Sequence, residues 1–224
     1  MLSNGGDAVS QREHNKRYYA EHRDYLLMLD LFAGLGGASR AMKERGWKVI
    51  TVDNDPDCHP DVLADITDYH YTGPKPDLVW ASPPCTDFSR LSLPPTWKCN
   101  LGKPAEPDMT LVLAAKRIIE EINPQYWIVE NVRGAVPYFK DHFGPPAKIS
   151  GSRYLWGVFP ICDPAPKYGK WRLPPTADRA ALRSVIPMSI SLAVCRAIEQ
   201  ELNGKRISMS KEFAEEPDRP INSL

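Results

Sequence analysis

The stretch MLDLFAGLGGAS, residues 28–39, decides the fold. An apolar run typical of a buried strand leads into a glycine-rich turn, and a helix is predicted over about residues 38–45. Glycines let the backbone approach a ligand that side chains would exclude. The spacing Phe-x-Gly-x-Gly-Gly differs from the dinucleotide pattern Gly-x-Gly-x-x-Gly. The stretch therefore predicts the first strand–turn–helix unit of an α/β sheet, with a turn suited to a ligand.

A second apolar run, WKVITVD at residues 47–53, ends in a carboxylate, Asp53. An acid at this strand end, roughly 20 residues after a glycine turn, can accept hydrogen bonds from a ribose diol. The alternative is an ordinary strand–helix–strand unit with a surface Asp. The glycines and the acid together favour the binding interpretation.

The segment SPPC, residues 82–85, follows the buried-strand pattern DLVWA at residues 77–81. Two prolines cannot continue a strand ladder and fix a rigid turn. In open α/β sheets, ligands bind at the edge where such a turn lies. Cys85 is therefore a candidate nucleophile, although a cysteine that only fills the core is the alternative.

A further apolar run, QYWIVENV at residues 125–132, ends in Glu130 and Asn131. A carboxylate at the end of such a run is costly to bury unless it is paired or used. Asn131 could instead cap a following helix.

Three of these segments, FAGLGG at residues 32–37, SPPC at 82–85 and ENV at 130–132, resemble in this order the motifs of the DNA cytosine-5 methyltransferase family. The resemblance covers about residues 26–160, with a weaker match near the C-terminus. It implies an α/β, Rossmann-like, S-adenosylmethionine-dependent methyltransferase fold, with a mostly parallel sheet and helices on both faces. It also implies methyl transfer to C5 of a cytosine flipped out of DNA.

The catalytic group follows from the chemistry and the resemblance. Cys85 would add to C6 of the base, which activates C5. Glu130, with a pKa raised by apolar surroundings, would supply a proton to N3. Pro84 would fix the backbone beside the thiol, and Asn131 would brace the loop. Arg153 would contact the base or clamp Glu130, with a purely structural ion pair as the alternative.

The resemblance also implies a pocket for S-adenosylmethionine. Asp53 would hold the ribose hydroxyls, and Asp65 and Ile66 would meet the adenine ring. The residues expected to bind the cofactor are Phe32, Gly34, Leu35, Gly36, Gly37, Asp53, Asn54, Asp65, Ile66 and Ser82.

The chain departs from the family in two places. The usual Gln-x-Arg-x-Arg segment is GSRYL here, residues 151–155, so only its central Arg153 is kept. The region where the family carries its target-recognition domain is reduced to about residues 156–180, too short for an independent core. We therefore expect a short or relaxed target sequence, and a partner protein could supply the missing recognition surface.

Candidate DNA contacts lie in two segments. The segment KYGKWR, residues 167–172, interleaves cations with aromatics that could grip phosphates and stack on bases. A solvated turn with its Trp in the core is the alternative. The long loop after the Pro-Cys turn is expected to close over the target base. The candidate residues are Ser89, Arg90, Lys167, Lys170, Trp171 and Arg172.

Composition limits the classes of protein further. The 224 residues carry no net charge, so DNA binding should be local, weak and sensitive to salt. Five scattered cysteines without a CxxC pair argue against a disulfide framework and against a zinc site, and no metal is expected. Because disulfides are not expected, we predict a cytosolic protein, in the host cytosol if a phage encodes it.

The predicted organisation is one catalytic domain over residues 25–204. A polar arm precedes it at 1–24, and a polar, frayed tail follows at 205–224. A helix over 108–122 is predicted to turn Leu111, Leu113, Ala114, Ile118 and Ile119 towards the core. The last helix is predicted over about 189–202.

Three other functions stay open from the sequence. The same chemistry could act on RNA or on a modified pyrimidine. The chain could also be an inactive or partner-dependent DNA-binding relative, although the intact Cys85 and Glu130 argue against lost activity. A methyltransferase for exocyclic amines is disfavoured, because Ser82 and Cys85 stand where such an enzyme carries an acceptor and an aromatic side chain.

Overall fold

The computed structural model describes residues 25–91, 106–160 and 185–214. Its strands are β1 (Leu27–Leu31), β2 (Lys48–Asp53), β3 (Val62–Leu63), β4 (Leu78–Ala81), β5 (Tyr126–Asn131), β6 (Lys148–Ser150) and β7 (Arg153–Val158). Its helices are α1 (Arg40–Glu44), α2 (Thr86–Leu91), α3 (Thr110–Ile122), α4 (Val136–Phe143) and α5 (Met188–Ala214), with short 3-10 turns at Pro56–Cys58 and Arg133–Ala135.

The described strands form one sheet in the order β3-β2-β1-β4-β5-β7-β6. The strands from β1 to β5 pair in parallel, whereas β7 pairs antiparallel with both β5 and β6. The strand order reverses between β1 and β4, which makes their carboxyl ends the topological switch point where ligands bind in open α/β sheets. The predicted α/β, Rossmann-like fold with a mostly parallel sheet is confirmed.

Helices cover both faces of the sheet, as predicted. Because successive side chains of a strand point to opposite faces, Met28 and Trp80 lie on one face and Leu29 and Val79 on the other. Met28 and Trp80 belong to a core cluster that includes residues of α1 and α5. Leu29 and Val79 belong to a second cluster with residues of α3 and α4. The strand ends are therefore held from both sides.

Helix bounds and one helix face differ from the predictions. In α3 the buried residues include Val112 and Ala115, whereas Leu113 is 42% exposed, so its predicted core position was wrong. Residues two apart on a helix point about 200° apart, so Leu113 cannot share the buried face of Ala115. Helix α1 is shorter than predicted, and α5 continues to Ala214, past the predicted boundary at residue 204. Within the described ranges, no helix combines the length and apolar character needed to cross a membrane.

Candidate active site

Main-chain hydrogen bonds join the strand ends at the switch point. The Ser82 N–H, just after β4, donates to the Leu31 carbonyl at the end of β1 (3.2 Å). The Ala33 N–H, just after β1, donates to the Val52 carbonyl of β2 (3.2 Å). The glycine turn, the Pro-Cys turn and Asp53 therefore project from one edge of the sheet.

The glycine turn is a compact loop of left-handed residues. Gly34 and Gly36 have φ values of 49° and 73°, and Phe32 adopts φ 59° although it has a side chain. A side-chain-bearing residue in this region is uncommon, and such residues cluster at functional sites. The Gly36 N–H donates to the Ala33 carbonyl (2.8 Å). Leu35, expected in the pocket, stands at the tip of the turn and is 56% exposed.

Asp53 is tied directly to the glycine turn. Its Oδ2 accepts a hydrogen bond from the Gly34 N–H at 2.8 Å, and its Oδ1 accepts one from the Asp55 N–H at 2.9 Å. Each oxygen keeps acceptor capacity, because a carboxylate oxygen can accept two hydrogen bonds. The orientation of the carboxylate is therefore fixed while it can still accept from a diol. Asn54 is exposed beside it.

Asp65 and Ile66 follow β3, next to the Asp53 strand. The Ala64 N–H donates to the Asp53 carbonyl (3.0 Å), so the segment begins at the same edge. The exposed Asp65 carboxylate accepts from the Thr67 N–H and hydroxyl, and these bonds lower its pKa. Ile66 is only 3% exposed and packs in the core. Any contact of Ile66 with a base must therefore come from its backbone.

The Pro-Cys turn is braced by Asn131. The buried Asn131 amide donates to the Pro83 carbonyl at 3.0 Å, while its Oδ1 accepts from the Val132 N–H at 2.9 Å. The following 3-10 turn begins after Val132 without a side-chain cap, so Asn131 braces the loop and caps no helix. Cys85 is half-buried, and its carbonyl accepts from the Ser89 N–H (2.8 Å) as α2 begins. Pro84, between Pro83 and Cys85 in the turn, is exposed.

Glu130 is a buried carboxylate with partners. It is 3% exposed, and its Oε1 lies 3.2 Å from Nη1 of Arg153. Burial raises the pKa of Glu130 above its ordinary value, while the Arg153 charge and hydrogen bond, together with a hydrogen bond to Ser82, work against that rise. Ser82, expected in the cofactor pocket, therefore contacts Glu130, and its hydroxyl also accepts from the Trp80 indole (3.0 Å). Burial therefore favours the protonated form of Glu130 more than water would, and Arg153 limits that effect.

Arg153 links this carboxylate to the segment before α5. Besides clamping Glu130, it donates from Nη2 to the Val185 carbonyl at 3.3 Å. The same segment lies against the glycine turn, because a Cβ on Gly37 would meet the Ile186 nitrogen at 2.6 Å. Gly37 is therefore needed for close backbone approach, and one short segment contacts both the glycine turn and Arg153.

Sequence reasoning overlooked a second buried carboxylate. Asp30 is 0% exposed, and neither of its carboxylate oxygens has a hydrogen-bond partner within the described residues. Burial raises the pKa of Asp30 from 3.8 to about 7, against the smaller effects of Ser39 and the Lys43 charge. The nearby Ser39 hydroxyl donates to the Gly36 carbonyl at 3.5 Å. An acid inside an otherwise apolar strand was the available signal.

Gly134 was also overlooked. A Cβ added there would lie 2.0 Å from the carbonyl oxygen of Phe88 in α2. Phe88 is 1% exposed, and its ring packs edge-on against Phe139 with centroids 5.3 Å apart. The helix that follows Cys85 is therefore held by a glycine contact and by an aromatic anchor.

Several predicted DNA contacts lie outside the described residues: Lys167, Lys170, Trp171 and Arg172. The side chain of Arg90 is likewise not described, and Ser89 is half-buried. The structurally described part of the chain holds no cluster of three or more His, Cys, Asp or Glu that could ligate a metal.

The arrangement fits a cationic nucleoside cofactor. The left-handed glycine turn leaves its backbone open, with no atom within 4 Å of a Cβ built on Gly34. Asp53 offers oriented acceptors for a ribose. Asp30, two residues before Phe32 on β1, adds a buried carboxylate whose charge would favour a nearby cation.

The chain is also similar in sequence to known proteins of one family. Residues 26–140 match the family model described as C-5 cytosine-specific DNA methylase. Over 121 residues the chain is 37% identical to a protein of Frog virus 3 (isolate Goorha) named "Probable DNA (cytosine-5)-methyltransferase". That match covers 46% of this chain and 52% of the viral protein, so the chain spans about half of that relative's length.

Solved structures resemble the chain more distantly. The Entamoeba histolytica methyltransferase EhMeth is 17% identical, with a TM-score of 0.40, covering 60% of this chain and 53% of that one. A mutant of Spodoptera frugiperda DNMT2 is 19% identical, with a TM-score of 0.36, covering 59% and 49%.

Proposed function

Because the chain belongs to the C-5 cytosine-specific DNA methylase family, we propose that it transfers a methyl group from S-adenosylmethionine to C5 of cytosine in DNA. The observation that carries the proposal is the buried Glu130, clamped by Arg153 and placed on the strand next to the braced Cys85 turn. The roles of the individual residues below are part of the proposal.

Cys85 would act as the nucleophile. C5 of cytosine attacks electrophiles poorly until a thiolate adds to C6. A new S–C6 bond then forms, and the electron pair of the C5–C6 double bond becomes available at C5. Asn131 supports this step by holding the Pro83 carbonyl, which fixes the turn that presents the thiol. Once C5 has used that electron pair to take the methyl group, loss of the C5 proton to a base and expulsion of the Cys85 thiolate would restore the ring.

Glu130 would assist the addition by donating a proton to N3 of the cytosine. Protonated N3 withdraws electron density from the ring and makes C6 more electrophilic. The raised pKa of Glu130 supports this role, because a carboxyl must be protonated to donate. Arg153 lowers the pKa of Glu130 against the effect of burial, and its hydrogen bond fixes the position of the carboxyl.

When bound, S-adenosylmethionine supplies the electrophilic methyl group. Phe32, Gly34 and Gly36 would line its pocket, and Asp53 would accept from the ribose hydroxyls. The side chain of Ile66 is buried, so the backbone of Asp65–Ile66 would be what meets the adenine.

We further propose a short or relaxed target sequence, since the segment between Leu155 and Ala180 is too short for a recognition domain with its own core. The target cytosine would be flipped out of the duplex to reach the thiol.

A transfer assay tests the proposal. The protein is incubated with methyl-tritiated S-adenosylmethionine and duplex DNA, single-stranded DNA or RNA, and the labelled nucleoside is identified by chromatography. We expect 5-methyldeoxycytidine from DNA, and none with Cys85→Ser. Label found only in RNA would show that RNA, and not DNA, is the substrate. Label on an exocyclic amine would refute the C5 reaction.

A further inference from the structure

Arg117 of α3 reaches across to the segment that follows β3. Its Nη2 lies 3.2 Å from the Ile66 carbonyl oxygen, 3.2 Å from that of Thr67 and 2.9 Å from that of Tyr69. One guanidinium therefore binds three main-chain carbonyls of a segment 48 to 51 residues away in sequence. All three residues lie outside the strands of the sheet.

The second terminal nitrogen of the guanidinium, Nη1, is also held in place. Nη1 of Arg117 lies 2.9 Å from Oε1 of Glu121 and 3.0 Å from Nδ1 of His70. His70 also lies 3.0 Å from Oε2 of Glu121. Since both ends of a planar donor are engaged, the side chain is oriented before any ligand arrives.

The bound segment leads directly to the proposed adenine end of the cofactor pocket. Its start is attached to β2 through the bond from the Ala64 N–H to the Asp53 carbonyl (3.0 Å). Asp65 is fixed by Thr67, and the Ile66 side chain is buried in the core. Arg117 adds a second attachment, at the carbonyls of Ile66, Thr67 and Tyr69.

We propose that Arg117 is a positioning residue for the adenosine half of the cofactor, an inference that rests on the proposed function. By holding three carbonyls, it orders the Asp65–Ile66 backbone before the cofactor binds. Without it, part of the binding free energy would be spent on ordering that segment. Loss of the contacts should weaken binding by about tenfold or more, which is the effect of ordering one or two additional residues.

The test measures the dissociation constant of S-adenosylhomocysteine by calorimetry in the absence of DNA. Arg117→Met removes all the contacts, and Arg117→Lys keeps the charge but loses the planar donor. The matched control is Lys116→Met, since the neighbouring Lys116 sits on the same helix and pairs with Glu120 four residues later. Melting temperatures are recorded, and Arg117→Lys decides the result if Arg117→Met does not fold.

We expect a loss of about tenfold or more for Arg117→Met, a smaller loss for Arg117→Lys, and none for Lys116→Met. Displacement by adenosine should weaken by the same factor, because the contact serves the adenosine half. Amide hydrogen exchange at Thr67–Tyr69 in the free protein should speed up. General destabilisation would not single out that segment.

An affinity within twofold of the parent protein would overturn the inference, as would an equal loss in Lys116→Met. Absence of S-adenosylhomocysteine binding in the parent protein would overturn both this inference and the cofactor proposal. Normal binding without methyl transfer would instead refute the proposed reaction and leave the inference to be judged by the affinities.

Discussion

Asp30 and Glu130 are two buried carboxylates on the same face of one sheet, in different surroundings. Asp30 lies in the row of Trp80 and Ile128, and Glu130 lies two residues beyond Ile128, about 7 Å nearer the strand ends. Glu130 is held by the Arg153 cation and by Ser82, whereas Asp30 makes no hydrogen bond of normal geometry within the described residues and has only Ser39 and the Lys43 charge to lower its pKa. Burial raises the pKa of both.

The difference separates two uses of burial. The Arg153 cation opposes the rise in the pKa of Glu130, and the carboxyl lies at the end of its strand, where ligands bind. Both features suit a group that gives up and regains a proton. At Asp30 the charge has only weak compensation, so the folded protein bears the cost of ionising it. We infer that Glu130 serves the reaction and that Asp30 limits stability in the absence of a cationic ligand.

The largest expected effect is on activity, from Glu130→Gln. The amide cannot donate an acidic proton, so kcat should fall by about 10²–10⁴-fold, the usual range for a lost general acid. Methyl transfer to DNA is the measurement, with the exposed Glu120→Gln as control. Activity within a few-fold of the parent would show that Glu130, despite its surroundings, is no more catalytic than Asp30.

The next effect is on stability, from Asp30→Asn in the protein without cofactor. The pKa of Asp30 is raised in the folded state from 3.8 to about 7. Its contribution to stability is therefore full below pH 4 and is lost as the pH rises towards 7. Relative to Asp30→Asn, the free energy of unfolding of the parent should therefore fall by on the order of 4 kcal/mol across this range, at 1.36 kcal/mol per pKa unit. Urea unfolding at several pH values measures this, and parallel curves for the two proteins would contradict it.

A smaller effect is a displaced pH profile in Arg153→Met. Arg153 lowers the pKa of Glu130, so its removal should raise that pKa further. Because the protonated form is the active one, activity falls as pH rises through this pKa, and the falling limb should move to higher pH. A limb that stays in place, measured as kcat/KM against pH, would mean that Glu130 does not set it.

The smallest effect is expected from Ser82→Ala. Its hydrogen bond is the weakest of the influences that lower the pKa of Glu130. The falling limb should therefore move in the same direction as in Arg153→Met, but less. A larger displacement than in Arg153→Met would reverse the assigned order of the two partners.

The sequence predicted the strand ends well and the contacts between them poorly. The sequence predicted β1, β4 and β5 because each is an apolar run that ends abruptly in glycine, proline or an acid. The resemblance to the family led us to expect that Asn131 braces the Pro-Cys turn, and its amide donates to the Pro83 carbonyl at 3.0 Å. Spacing along the chain carries no such signal for Arg117, whose partners lie 48 to 51 residues away.

Other features depend on packing that single-sequence patterns do not contain. Leu113 has the same apolar character as its buried neighbours, and only the phase of the helix against the sheet leaves it exposed. The need for glycine at 134 comes from the Phe88 carbonyl, which belongs to a different motif. The raised pKa of Asp30 follows from its complete burial. The sequence shows only that an acid lies within an apolar strand.

Covalent trapping tests the central claim, that Cys85 attacks C6 of cytosine, most directly. The protein and S-adenosylmethionine are mixed with duplex DNA containing 5-fluorocytosine, from which fluorine cannot leave as a cation. Cys85→Ala and the matched Cys58→Ala, a second half-buried free cysteine, are run beside the parent protein. The account predicts a denaturation-resistant adduct in the parent and in Cys58→Ala and none in Cys85→Ala. An adduct that persists in Cys85→Ala, or no adduct in a parent protein that binds S-adenosylhomocysteine, would contradict it.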